Sequence, residues 1–264
     1  MSAAGIIPEK QAKKSLGQHF LRDAGVTGRI AGLLDVRPGD QVIEIGPGPG
    51  ALTALLRPLP WSRLLLLEKD DGYARGHASL PMPGLEVFHG DALGFPWQDL
   101  EGPWKIAGNL PYNVASPLMW DVASRVPALE RAVFMVQKEV AERLLAPPGS
   151  RKYGALSAWI QSFCAPAKGF PVPPSCFAPP PRVDSEVVVL TPAHGGRPSE
   201  PDRLAALLKI CFQQRRKQLR SVLRRAFSET KTMEALAGEG IAPEQRPESL
   251  SPKQFQSLAS RLFS

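Results

Sequence analysis

No apolar run in the chain of 264 residues approaches the roughly 20 residues that a membrane span needs. The first fifteen residues lack the apolar core of a secretory signal, so none is expected. Lys10 to Lys14 is basic but lacks the Arg- and Ser-rich pattern of a transit peptide. Cysteine is scarce. Cys164, Cys176 and Cys211 are odd in number, far apart and outside any C-x-x-C pair, which argues against a zinc site or a disulfide framework and fits a reducing cytoplasm. No metal is expected. Acidic residues are missing from one stretch altogether: Lys209 to Ser228 carries Lys209, Arg215, Arg216, Lys217, Arg220, Arg224 and Arg225 and no Asp or Glu. A solvated helix mixes signs, so a one-sign stretch in a chain of net charge +7 points to a polyanion, with nucleic acid ahead of a bland charged face.

What is present reads as alternating strands and helices. Gln41 to Ile45 is a strand, Gly46-Pro47-Gly48-Pro49-Gly50 a glycine loop, and Ala51 to Arg57 the start of a helix. Such a unit turns loop N–H groups and a helix N-terminus towards a ligand. Arg63 to Leu67 is a second strand, and it ends in Glu68, 22 residues after Gly46, where an acid takes a ribose diol. Two nucleoside ligands compete. The spacing Gly46-x-Gly48-x-x-Ala51 meets a loose dinucleotide fingerprint, whereas Glu44-x-Gly46-x-Gly48-x-Gly50 meets the S-adenosylmethionine pattern in full. Glu44 favours the second. It would repel a pyrophosphate but suits a sulfonium and an ammonium group.

A third strand, Leu85 to Phe88, leads to Asp91, either an acceptor for an adenine amine or an N-cap. A fourth, Trp104 to Gly108, delivers Asn109-Leu110-Pro111-Tyr112 to the sheet edge where α/β proteins bind ligands. Asn109 offers a side-chain carbonyl. Pro111 biases Leu110 towards an extended conformation, freeing a main-chain carbonyl, and Tyr112 offers a flat face. Two acceptors and a stacking surface suit the exocyclic amine of a nucleobase; the alternative is a proline-stiffened loop with a structural Asn. Helices are expected over Ser116 to Ser124, Lys138 to Ala146 and Tyr153 to Phe163, and strands over Arg131 to Val136 and Ser185 to Leu190. The proline-dense stretch from Phe170 to Arg182 reads as a rigid loop. Phe177 there either faces Tyr112 across a cleft or anchors the loop in the core. The fold expected is α/β, a three-layer sandwich over residues 1–194, followed by an all-helical domain over residues 195–264 with a continuous basic helix.

These residues carry a resemblance. Gly17-Gln18-His19-Phe20-Leu21, Glu44 to Gly50, Gly90-Asp91-Ala92-Leu93, Asn109 to Asn113, Val136 to Val140, Pro173 to Ser185 and Cys211 to Arg220 together resemble the KsgA/RsmA family, the ribosomal RNA adenine N6,N6-dimethyltransferases. The resemblance implies a Rossmann-like methyltransferase domain with a small helical C-terminal domain, and S-adenosylmethionine as methyl donor. It implies a substrate of two adjacent adenosines near the 3′ end of small-subunit RNA, within an immature subunit, and a cytoplasmic monomer. By family position His19, Leu21, Gly46, Glu68, Asp91 and Asn109 contact the cofactor. Asn109 also holds the target amine with the Leu110 carbonyl, while Tyr112 and Phe177 stack the base. Arg215, Arg216, Lys217 and Arg220 are the RNA-binding candidates. Lys69 to Asp71 and Gly72 to His77 depart from the family pattern.

Overall fold

The computed structural model describes residues 6–8, 19–215 and 217–264. Its central sheet follows from four apolar strands buried on both faces, as parallel strands under helices must be. They are β2 (Gln41–Ile45), β3 (Arg63–Glu68), β5 (Trp104–Asn109) and β6 (Leu129–Gln137). With β4 (Leu85–His89), β9 (Ser185–Pro192) and β7 (Cys164–Val172) they form a seven-stranded sheet in the order β4-β3-β2-β5-β6-β9-β7. The pairs from β4 to β6 are parallel and β9 is antiparallel to β6. Between β2 and β5 the direction of strand progression reverses. In sheets of this type that switch point is where the ligand crevice opens.

The helices of the sheet unit are α1 (Ala24–Leu34), the short α2 (Thr53–Leu56), α3 (Asp71–Ala78) and α4 (Ala115–Arg125). Helix α1 starts on an Asp23 cap that accepts from the Val26 N–H at 2.9 Å. At the opposite end of the strands Lys105 is buried, yet its ammonium reaches Asp40 at 2.7 Å, Glu130 at 3.2 Å and the Asp35 carbonyl at 2.5 Å. A buried cation is tolerable only with such pairing.

Two residues at the start of this unit, β1 (Phe20–Leu21), pair antiparallel with β8 (Phe177–Ala178), with Leu21 opposite Phe177. Residues directly opposite in an antiparallel pair put their side chains on the same face. Leu21 and Phe177 therefore go together into the core cluster with Val26, Val172 and Val187.

Two compact units divide the chain: Met1–Ala141 with Ala167–Pro192, and Glu142–Pro166 with Ala193–Ser264. The last boundary, after Pro192, falls close to the expected residue 194. The expectation that all of residues 1–194 forms one domain needs correction, because helix α6 (Ala155–Phe163) packs with α7 (Pro201–Phe212) and α10 (Pro252–Leu262). Buried Trp159, Ile160 and Phe163 give the reason: a helix with that much apolar surface goes where it is covered. The first boundary between the units, after Ala141, falls inside helix α5 (Lys138–Leu144). The proline-dense stretch also differs in part from its reading as a loop. Residues up to Val172 form β7, and as the terminal strand of the sheet it can hold Pro166 and Pro171 without breaking a ladder on both sides.

In the second unit the expected basic helix is broken. Helix α7 stops at Phe212, α8 covers only Leu219–Leu223, and α9 (Glu229–Gly238) follows on a Ser228 cap. Helix α10 begins with a Ser251/Gln254 capping box and buries Phe255, Leu258, Ala259 and Leu262, one stripe at helical spacing.

Candidate active site

A cavity of about 170 Å³ opens at the C-terminal ends of β2, β3, β4 and β5. His19, Leu21, Gly46, Glu68, Asp91, Asn109, Leu110 and Tyr112 all line it. Residues expected to act together from five separate stretches of sequence are therefore brought to one place. Gly17 and Gln18 lie outside the described residues.

The glycine loop bends through positive φ at Gly46 and Gly48, 66° and 51°, which other residues adopt only with strain. The Gly48 N–H donates to Glu68 Oε2 at 2.8 Å, and the Asp70 N–H donates to Oε1 at 2.7 Å. Burial raises its pKa, partly offset by these two donors and by the Lys69 N–H. Glu44 is 2% exposed and accepts from Thr53 Oγ1 at 2.7 Å. Burial pushes its carboxyl up to about 8; the Thr53 hydroxyl works against that and the charge of Glu68 adds to it. Thr53 was not singled out by sequence reasoning, although a hydroxyl at the start of the helix after a glycine loop is a readable signal.

Asp91 combines both of its expected readings. Its Oδ1 caps the next turn by accepting from the Leu93 N–H at 3.0 Å, and the residue also lines the cavity. Its Oδ2 accepts from Lys69 Nζ at 2.7 Å, and that bond is the main reason its pKa is lowered. Lys69 lines the cavity too.

Asn109 Nδ2 donates to the His19 main-chain carbonyl at 2.9 Å, so Oδ1 is the end left to accept. No described donor reaches Asn109 Oδ1 or the Leu110 carbonyl. By contrast, the neighbouring Pro111 carbonyl is taken by the Val114 and Ala115 N–H groups at the start of α4. The Tyr112 hydroxyl bonds Ser185 Oγ at 2.9 Å, and burial raises its pKa. The ring beside Tyr112 is His19, stacked at 5.7 Å between centroids and 28° between planes, with its Nδ1–H donating to the Pro179 carbonyl at 2.8 Å. Phe177 does not face Tyr112. It is 5% exposed and packed in the core, the alternative that sequence reasoning left open, because its register opposite Leu21 turns it inward.

Of the RNA candidates, Arg216 lies outside the described residues. Arg215 Nη2 donates to the carbonyls of Arg151 and Tyr153 at 2.9 and 2.6 Å and meets Glu248 at 3.4 Å. Arg220 pairs with Glu229 at 2.7 Å, and Arg224 pairs with the same acid. The acids absent from 209–228 are thus supplied by residues further along the chain. A groove of about 1000 Å³ in the second unit is lined by Arg151, Lys217, Arg225 and Arg246, exposed cations with no acidic partner among the described residues. Among the described residues no three His, Cys, Asp or Glu side chains group as metal ligands.

A mixed sheet, parallel from β4 to β6 with a reversed order at β2/β5, a glycine loop after β2 and an acid closing β3 define a Rossmann-like methyltransferase. The model of the ribosomal RNA adenine dimethylase family matches residues 9–263, so the chain belongs to that family. It is 54% identical to the ribosomal RNA small subunit methyltransferase A of Nitratidesulfovibrio vulgaris over 258 residues, 94% of this chain and 95% of that protein. To the protein of the same name in Lawsonia intracellularis it is 48% identical, covering 95% of this chain and 94% of that one. Among solved structures, a dimethyladenosine transferase from Plasmodium falciparum superposes with a TM-score of 0.79 at 29% identity, covering 91% of this chain and 96% of that one. The 23S rRNA methyltransferase ErmE superposes with a TM-score of 0.67 at 24% identity, covering 93% of this chain and 100% of that one, a likeness of fold. The chain is an enzyme that methylates adenine in ribosomal RNA.

Proposed function

We propose that the cavity holds S-adenosylmethionine and that the enzyme dimethylates N6 of two adjacent adenosines near the 3′ end of small-subunit ribosomal RNA, in an immature subunit. The donor set fits the cofactor. Glu68 has lone pairs for a ribose diol, Asp91 for an adenine amine, and the buried Glu44 for a cationic group. A pyrophosphate would face three carboxyls, which disfavours a dinucleotide. The cofactor supplies an electrophilic methyl on sulfur.

The observation that carries the reading is the pair of acceptors that no described donor reaches, Asn109 Oδ1 and the Leu110 carbonyl, on one edge of that cavity. An adenine N6 is a weak nucleophile because its lone pair is delocalised into the ring. Accepting its two N–H bonds at these oxygens holds the nitrogen and favours a pyramidal geometry, with the lone pair aimed at the methyl. With the cofactor bound, methyl transfer would form the C–N bond as the C–S bond broke, the amine proton leaving to water. Positioning supplies most of the acceleration. After the first transfer one N–H remains for one acceptor, and the second transfer repeats the step. Tyr112 and His19 offer ring surface to a base that must leave its stack to enter, so an unpaired stretch of RNA is the expected substrate. Arg151, Lys217, Arg225 and Arg246 line the groove of the second unit as contacts for the RNA backbone. The protein acts as a monomer in the cytoplasm, a reducing compartment that suits its three free cysteines.

The test is methyl transfer from labelled S-adenosylmethionine to immature small subunits, mature small subunits and large subunits, with the product nucleoside identified by mass spectrometry. Dimethyladenosine confined to the immature small subunit is expected. Label in large-subunit RNA would overturn the assignment of substrate.

A further inference from the structure

The stretch Gly72 to His77, which departs from the family pattern, backs onto the glycine loop. Tyr73 and His77 of α3 are buried, at 1% and 0% exposure. His77 Nε2 lies 2.9 Å from the Gly48 carbonyl. A carbonyl can only accept, so Nε2 carries the hydrogen and the ring is in that tautomer. The other ring nitrogen, Nδ1, is buried and has no partner among the described residues. Leaving a buried polar atom unmatched is costly, so the single bond that the ring does make marks its purpose. Burial, with the nearby charge of Arg57, lowers the pKa of His77 from the ordinary histidine value, and the bond to Gly48 works against it.

The loop sequence explains why a side chain is needed there. The peptide between Gly48 and Pro49 has no N–H, because Pro49 has none. Its carbonyl is its one hydrogen-bonding group, and His77 takes it. The preceding peptide is fixed from the other side, where the Gly48 N–H meets Glu68 Oε2. The next carbonyl, that of Pro49, accepts from the Ile7 N–H at 2.8 Å. The Ile7 side chain fills the space over Gly76, where any Cβ would stand 2.7 Å from its Cδ1. Two successive carbonyls of the loop are thus drawn to the α3 side while the Gly48 N–H faces the acid at the end of β3.

We propose that His77 is a positioning residue of the cofactor site, whose Nε2–H holds the Gly48–Pro49 peptide in the orientation that shapes the glycine loop. The proposal rests on the reading of the cavity as the site of S-adenosylmethionine. Its test compares His77→Leu, which fills the space without a donor, with His77→Gln, which returns an N–H at about the same reach. Calorimetric titration with S-adenosylmethionine and S-adenosylhomocysteine is expected to show roughly tenfold weaker binding for His77→Leu, the scale of one hydrogen bond. His77→Gln is expected to stay within about threefold of the parent protein. The kcat at saturating cofactor and the KM for RNA are expected to change less than about twofold, which separates a loop effect from general destabilisation. Long-range proton–nitrogen NMR of the unaltered protein reads the tautomer directly and holds even if the leucine variant does not fold. An Nδ1-protonated ring, unchanged binding by His77→Leu, or a glutamine variant as weak as the leucine one would each overturn the proposal. A parent protein that binds neither cofactor form would overturn the cofactor reading and the proposal with it, whatever the tautomer.

Discussion

The side-chain amide of Asn109 and the main-chain carbonyl of His19 are 2.9 Å apart, although 90 positions separate them in the chain. That bond settles which end of the amide is free. Asn109→Ala removes both the anchor and the acceptor, and kcat is expected to fall about a hundredfold or more. Binding to small subunits, measured by sedimentation, is expected to persist. Loss of subunit binding together with activity would mean that Asn109 supports the fold rather than the chemistry.

Glu44 links the site to pH. Its folded pKa of about 8 lies above the ordinary 4.5, so its contribution to stability is fully present below about 4.5 and is lost as pH rises through about 8. Glu44→Gln removes that loss. Its melting temperature is expected to match the parent's at pH 5 and to exceed it by several degrees at pH 9. Binding runs the other way. A cationic cofactor favours the ionised carboxylate, so the parent's affinity is expected to rise from pH 6 to pH 9, while that of Glu44→Gln stays low and flat. Calorimetry across that range checks both signs.

Lys69 and Asp91 form a pair that is about half exposed on each side, worth little to stability in water. Lys69→Met is therefore expected to leave the melting temperature within about 2 °C. It removes a positive charge from the cavity wall, so the preference for S-adenosylmethionine over the neutral-sulfur product is expected to increase about two- to threefold. Equal affinities before and after the change would remove Lys69 from the account of the site.

Arg215 and Lys217 are neighbours in sequence with different expected losses. Arg215→Ala strips two main-chain carbonyls and Glu248 of their donor, at a cost of about 1–3 kcal/mol to folding. Lys217→Ala touches no such network. It is expected to leave thermal stability unchanged, weaken RNA binding at all sequences, and reduce the salt slope by about one. Filter binding at several salt concentrations, beside thermal melts, separates the two.

Phe177→Ala tests the core placement. Truncating a buried aromatic costs about 3–5 kcal/mol, so chemical denaturation is expected to show a large loss of stability. A fully stable Phe177→Ala with impaired kcat would instead restore a stacking role.

The sheet and its ligand edge were legible because local signals there agree with tertiary demands. Apolar strands end in a glycine loop, in Glu68 and in Asn109, and each such boundary can be read from a handful of adjacent residues. What escaped depends on partners far away in sequence. Phe177 owes its inward turn to a two-residue pairing with Leu21, which no period in either segment reveals. The basic stretch looked like one helix because its acids, Glu229 and Glu248, come from segments beyond it. Helix α6 reads equally well in either unit until its apolar face is matched with those of α7 and α10.

The ribbon of β1 and β8 has a consequence for the order of assembly. His19 reaches its place only when residues 177–179 are there to hold it, through the β1 pairing and the Pro179 carbonyl. A nascent chain emerges from its N-terminus, and contacts of such long sequence separation form late. The five strands from β2 to β6 are available to pair well before then, but the His19 carbonyl that orients Asn109 is not. The strands that carry the site can therefore pair before the catalytic edge is finished.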